Sequence, residues 1–308
     1  MKTRNIFIRL PLVLLAFLLP QTMSGQEMLV GSYNIRNKND GDSLRGNLWS
    51  KRCQVICDQV RFMAPVVLGT QEVLHTQLND MLQRLDGYGY IGVGRDDGKE
   101  GGEYAAILYD RNRLQLLDEG NFWLSETPDV PRLGWDAACI RICTWGRFRD
   151  TLTTKEFCFF NLHMDHVGKV ARREGARLVV RKIAEIAHGE PVILTGDFNV
   201  DQNDEIYTIF TESGLLKDSY ASASVRLAEN GTFNSFNPRL KTESRIDHVF
   251  VSPQTDVRAY GMLTDIYWTP QPAAAQKGSD APEELSLREA KIRLPSDHYP
   301  VFVRIHLP

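Results

Sequence analysis

Residues able to carry out acid–base and oxyanion chemistry recur in this 308-residue chain where short apolar runs give out. The apolar or β-branched run Val192 to Thr195 follows Pro191 and reads as a short buried strand that Gly196 breaks, with Asp197 and Asn199 emerging where it ends. Residues two apart in an extended chain project to one side, so a carboxylate and an amide emerge together. Asp197 could take a proton from water, and Asn199 could donate to an oxyanion. An Asx-turn, in which both side chains only cap backbone, uses the same residues. Asn34 closes another apolar run, Glu72 follows a second, and His163 and Asp165 follow a third. Asp247-His248 sit within RIDHVFVS, and Asp297-His298 introduce the run from Tyr299. One such ending carries little; the recurrence is the signal. Oxygen ligands without cysteine suit Mg2+ or Mn2+. Asparagine and histidine suit a phosphoryl oxyanion, and an aspartate beside a histidine orients the ring and favours its charged form. A serine nucleophile elbow, a P-loop and the HExxH motif are all absent.

Further residues have two readings each. Arg141 could aim a guanidinium at phosphate or lie on the surface. Glu103 could orient His163 or serve a turn, and Asp165 could bind metal or cap the following helix. Tyr104 and Trp145 could line a pocket or fill the core. His248 reads as a strand residue rather than a catalyst.

The elements that must position these groups follow from periodicity. Strands are expected over 28–34, 65–70, 88–94, 104–109, 114–124, 138–145, 156–163, 192–195, 245–252, 257–265 and 299–306. Helices are expected over 47–63, 74–85, 168–188 and 204–213, where apolar residues recur at helical spacing. Residues 138–145 and 156–163 should form an antiparallel pair. The segment 268–294 is polar and proline-containing, with a helical turn or two near 283–292, and it could cover the site or stay a surface loop. No interior linker divides the chain, so residues 26–308 read as one domain of two sheets packed face to face with helices outside. Loops gather at the ends of such a sandwich, where the polar endings can converge.

Composition bounds the rest. The chain is 43% hydrophobic and 24% charged, which is the make-up of an ordinary globular protein able to bury a sizeable core. Lys2, Arg4 and Arg9 precede an apolar run, Leu10 to Leu19, and small or polar residues to Gly25. That is the pattern of a cleaved secretory signal over residues 1–25, too short for a comfortable membrane span. It predicts a secreted or periplasmic protein with no stable membrane insertion after cleavage. Removing it leaves 33 basic against 39 acidic residues, a net charge of −6, which does not favour indiscriminate binding of polyanions. Arg172, Arg173, Arg177, Arg181 and Lys182 cluster on the 168–188 helix beside Glu174 and Glu185, as on a solvated face. Cys53 and Cys57 fall on the apolar face of the 47–63 helix, whereas one bridge among Cys139, Cys143 and Cys158 is conceivable in an exported chain.

Taken in order, SYNIR, GTQE, NLHMDH, GDFN, RIDHVFV and SDHYPV resemble the endonuclease/exonuclease/phosphatase superfamily across nearly the whole mature chain. The resemblance implies a four-layer α/β sandwich, with two mainly antiparallel sheets flanked by helices, and a monomeric phosphoesterase using Mg2+ or Mn2+. It implies that Glu72 and Asp297 hold the metal, with Asn34 at the metal-bound phosphate. Asp197 would activate water, Asn199 would hold the scissile phosphate, His298 would contact it as an imidazolium supported by Asp247, and His163 would sit near the leaving group. Its members include nucleases and phosphatases. A nuclease acting on DNA or RNA is the first expectation; a phosphatase or phosphodiesterase on a small sugar, inositol or lipid phosphoester is the second. A non-catalytic binding protein is a third.

Overall fold

The computed structural model describes residues 26–227, 230–272, 282 and 284–308. The expected signal segment and part of 268–294 lie outside the described residues. Two large sheets carry the fold. The first has seven strands, in the order Val225–Leu227, Asp256–Met262, Val301–His306, Met28–Asn34, Val67–Gln71, Ile107–Asp110 and Tyr88–Ile91. The second has six: Lys217–Asp218, Asp247–Val251, Val192–Asp197, Glu156–His163, Ile142–Asp150 and Leu114–Trp123. Most neighbours pair antiparallel. Met28–Asn34 with Val67–Gln71, Glu156–His163 with Val192–Asp197, and Val225–Leu227 with Asp256–Met262 are parallel.

Alternation along the strands builds four layers. In Val192–Asp197, Val192 and Leu194 face outward onto the helix Lys169–Ala187, whereas Ile193 faces the other sheet. The inner layer joins Val30, Val67, Val301 and Val303 of one sheet to Phe157, Phe159, Ile193 and Val249 of the other. Cys53, Ile56, Cys57 and Val60 of the helix Trp49–Met63 cover the outer face of the first sheet with Leu78 and Met81. Ala176, Val179 and Ile183, with Ile206 and Phe210, cover the second. The expected four-layer sandwich is therefore what forms.

The inner face changes character along the strands. Past the apolar residues lies a polar layer of Ser32, Gln71, Asn161 and Thr195, all fully buried. Gln71 Nε2 donates to Ser32 Oγ at 3.1 Å and Asn161 Oδ1 at 2.6 Å, and Thr195 Oγ1 donates to the same Asn161 oxygen at 3.0 Å. Two residues further along the same strand faces stand Asn34, His163 and Asp197. The sandwich thus runs from apolar to hydrogen-bonded to ionisable in successive pleats.

Several local expectations are corrected. Gly196 does not break its strand but lies within it, paired with Leu162 and His248. A Cβ there would come 2.4 Å from the Leu162 carbonyl, which explains the glycine. The expected 104–109 strand is two pieces: Glu103–Tyr104 pairs with Val73–Leu74, and Ile107–Asp110 joins the first sheet. The 138–145 strand begins instead at Ile142 and runs to Asp150, because Ala138 and Cys139 give their N–H groups to Asp165 rather than to a ladder. Its antiparallel pairing with Glu156–His163 is as expected. Among the described residues 284–292 the chain is not helical but forms a strand, Ala290–Arg293, paired antiparallel with Tyr267–Pro270 in a separate two-stranded arm. All five cysteines are free, so no bridge joins Cys139, Cys143 and Cys158. Burial holds the Cys143 thiol protonated, far above the ordinary thiol range.

Candidate active site

Strand register brings the ionisable groups together. Asp197 lies opposite His163 on one neighbour and Asp247 on the other. Asn34 ends the strand Met28–Asn34 of the opposing sheet, and its Nδ2 donates to Glu72 Oε1 at 3.1 Å and Asp197 Oδ2 at 3.0 Å, joining carboxylates from both sheets. Glu72 itself adopts a left-handed conformation (φ 60°), which turns it out of the strand ladder. Asp297 and His298 come from the loop before the last strand. That loop is tied down by Ser296 Oγ donating to Asn34 O at 2.6 Å, and by Asp297 O accepting from Asn234 N at 2.7 Å.

Beneath this corner sits Arg52, an arginine with no exposed surface and no carboxylate partner within salt-bridge range among the described residues. Its guanidinium donates to the carbonyls of Ile35 (2.7 Å), Asn47 (3.1 Å), Pro295 (3.1 Å) and Arg36 (3.2 Å). One side chain thus fixes the loop after Asn34 and the loop before Asp297 to the same helix. The rings of Trp49 and Phe236 lie against it at 5.3 and 5.5 Å.

Charge is distributed unequally. His298 Nδ1 and Asp247 Oδ2 are 2.8 Å apart, and His298 Nε2 is 3.7 Å from Asp197 Oδ2. Burial opposes charging this ring, but Asp247 and Asp197 outweigh it and hold its pKa well above that of an ordinary imidazole. His163 is the opposite case. Burial, reinforced by Arg141 and Arg95, holds it well below the usual value, so it is neutral although its Nε2 is 3.6 Å from Asp197. Burial and the nearby Asp247 charge push the Asp197 carboxyl upward, out of the usual carboxylate range. A carboxylate raised toward neutrality is a stronger base than a free one. One carboxylate flanked by a cationic and a neutral histidine can therefore accept a proton while the other groups donate to an anion.

The open part of the site is a recess of about 500 Å3, lined by Glu72, His163, Asp197, Asn199, Asp297 and His298, with Arg141 and His166 on one wall and Phe233, Ser235 and Ile246 on another. Asn34 and Asp247 do not reach its surface; they stand behind Glu72, Asp197 and His298 and orient them. Asn199, also left-handed (φ 49°), donates its Nδ2 to Met164 O at 2.9 Å, while its N–H caps Asp197. Arg141 lines the recess with Nη2 3.0 Å from His166 and Nε 3.4 Å from Asp165. Asp165 is occupied as a backbone anchor: its carboxylate accepts from the N–H groups of Ala138, Cys139, Val167 and Gly168. Glu103 does not orient His163 but pairs with Arg95 at 2.5 Å and Asn37 at 2.8 Å. Trp145 packs beside the outer core of the second sheet. His248 is buried, with Nε2 3.0 Å from Val200 O, as a strand residue should be.

Sequence reasoning missed Arg36, which lies at the centre of the site. Its Nη1 is 3.6 Å from both Glu72 Oε2 and Asp297 Oδ2, and its Nε donates to Asp42 at 2.8 Å. The signal was present in SYNIR, where Arg36 follows Asn34 by two residues. Glu72 and Asp297 thus present oxygens to a single cation-sized position, and burial with the nearby Glu72 charge raises the Asp297 carboxyl. Two such hard carboxylates fit a divalent cation. Asp197, Asp247 and His298 also place ligand-type atoms within 4.8 Å of one another.

The profile of the Endonuclease/Exonuclease/phosphatase family matches residues 31–298. The chain belongs to this family. It is accordingly a hydrolase of phosphoester bonds, in a family that generally uses divalent metals. The mannosyl-6-phosphatase of Bacteroides thetaiotaomicron is 50% identical, with a TM-score of 0.84 over 90% of this chain and 99% of that one. The catalytic domain of human Nocturnin, 18% identical with a TM-score of 0.66, covers 92% of this chain and 94% of that one and shares the fold alone. Drosophila melanogaster Nocturnin is 26% identical over 190 residues, 58% of this chain and 28% of that protein. The chain spans less than two thirds of each curated relative it matches, from 14% to 60%.

Proposed function

We propose that this family member is an exported phosphatase that removes phosphate from a sugar phosphate monoester, with Mg2+ or Mn2+ as its metal. The observation that carries the reading is the 50% identity to a mannosyl-6-phosphatase across nearly the full length of both chains. Export rests on the basic-apolar-small pattern of residues 1–25. Asp197 takes a proton from a water that attacks phosphorus in line, and the bond to the sugar oxygen breaks on the opposite side. The His298 imidazolium, oriented by Asp247, and Asn199 stabilise the charge that gathers on the phosphoryl oxygens. Neutral His163 and the Arg141 guanidinium face the same space and hold the phosphate against rotation. Glu72 and Asp297 would hold the cation, which when bound neutralises phosphate charge. A nuclease uses the same groups, but the D. rerio TDP2 solved with a single-strand DNA product is 15% identical to this chain and shares the fold alone.

The test is phosphate release by the purified mature chain with Mg2+ from mannose 6-phosphate and other hexose phosphates, beside cleavage of plasmid and single-stranded DNA. Turnover of a hexose phosphate with little DNA cleavage is expected. Rapid plasmid nicking, steeply dependent on salt as for proteins that neutralise several phosphates, would replace the phosphatase with a nuclease.

A further inference from the structure

A second, larger recess opens beside the catalytic one, and the hydrolysis described above makes no use of it. It encloses about 900 Å3 between residues 42–47, the turn 235–239 and the arm strand Ala290–Arg293. Arg36, Ser235 and Asp297 line both recesses, so the two share a wall at the scissile end. Its walls are cationic: Arg45, Arg239, Lys291 and Arg293 join Arg36 there, against two carboxylates. Both carboxylates are already engaged. Asp42 accepts from Arg36 at 2.8 Å, Arg45 at 2.7 Å and Asn39 at 2.6 Å, and Asp297 Oδ2 lies 3.6 Å from Arg36 Nη1, so the excess is carried by Arg239, Lys291 and Arg293. A local excess of this kind, in a chain of net charge −3, attracts anions.

Two of the guanidinium groups are already fixed. Arg293 Nη1 donates to Arg45 O at 2.8 Å and Asn47 Oδ1 at 3.1 Å, which closes the arm onto the loop, and Asp42 holds Arg45. Arg239 and Lys291 are exposed at the rim. A pre-set guanidinium fork binds anionic oxygens with little further loss of freedom. A neutral sugar ring would instead favour an open aromatic face. The aromatic lining residue, Phe236, has its ring against Arg52.

We propose that this recess is a subsite for a second anionic group, so that the preferred substrates carry a phosphate or carboxylate beyond the phosphate that is removed. The inference rests on the sugar-phosphatase reading. Phosphate release is compared for a hexose 6-phosphate, a hexose 1,6-bisphosphate, a disaccharide 6-phosphate ending in a uronic acid and its neutral counterpart. Wild type is set beside the Arg239→Ala/Lys291→Ala double variant. At least one anionic substrate should exceed the hexose 6-phosphate in kcat/KM by about tenfold, the worth of one good charge-assisted contact. That preference ratio should shrink in the double variant and with added salt. The two anionic arms identify whether phosphate or carboxylate is taken. An equal gain from the neutral disaccharide, or a ratio unchanged in the variant, overturns the subsite while leaving the phosphatase standing. Hydrolysis of none of the four overturns both.

Discussion

Within the recess, each side chain is set by what lies behind it. Asn34 and Asp247 are out of reach of the open space, and their work is to hold Glu72, Asp197 and His298 in register. Glu72→Gln and Asp197→Asn each remove one charge and little volume. Each should lower kcat by about 10²–10³ with a circular dichroism spectrum like the wild type's, because the lost interaction is made chiefly in the transition state. Near-normal turnover by a folded variant would contradict the assignment. For His298 the sign is fixed by its carboxylate neighbours. Its folded pKa lies above the ordinary imidazole value of about 6.5, so the stability it contributes is fully present below that pH. The contribution is lost as pH rises through the folded pKa. In the metal-free protein, NMR titration of the ring should give an elevated pKa that falls in Asp247→Asn. An unchanged midpoint would show that the pair does not act together.

Elements decide whether those residues meet. Their convergence was legible in the sequence because the relevant side chains sit at strand ends, where apolar alternation gives way to Asn34, His163 and Asp197. The groups that brace the strand ends were not legible. Arg52 sits on a helical face that also carries Cys53, Ile56 and Val60, and nothing in its spacing reveals that it satisfies carbonyls from two distant loops. The arm strands Tyr267–Pro270 and Ala290–Arg293 were hidden for another reason: none of their residues is buried, so the sequence carries no alternation of core and solvent-facing residues there. Arg52→Met should cost about 3 kcal/mol or more, since it leaves several buried carbonyls without a donor. Arg52→Lys should restore little, because an ammonium cannot reproduce the fork. The denaturant midpoint, read together with kcat, checks both. Gly69→Ala tests the polar layer between the sheets. Its Cβ would fall 2.2 Å from Thr195 Oγ1 and 2.4 Å from Asn161 Oδ1, and overpacking of that kind costs about 1–3 kcal/mol.

For the molecule as a whole, a cation held by Glu72 and Asp297 would couple the site to stability. A chelator should abolish hydrolysis while far-UV circular dichroism stays native, since the four layers close over apolar cores far from Glu72 and Asp297. Restoring Mg2+ or Mn2+ at about 100 times its dissociation constant should raise stability by about 2.7 kcal/mol, if the unfolded chain does not bind it. A melting temperature indifferent to metal would place the cation outside the folded site.

The strand Met28–Asn34 lies between Val67–Gln71 and Val301–His306, so a segment near residue 30 and one near residue 305 are neighbours in the same sheet. That adjacency sets a timetable for assembly. During synthesis, Met28–Asn34 stays without one of its two partners until Val301–His306 has been made, and Asp297 and His298 arrive in the same late stretch. Contacts of such long sequence separation form slowly. Enzymatic activity on refolding should therefore appear with the final kinetic phase rather than the first, and an incomplete chain that stops short of residue 297 should have no partial activity at all.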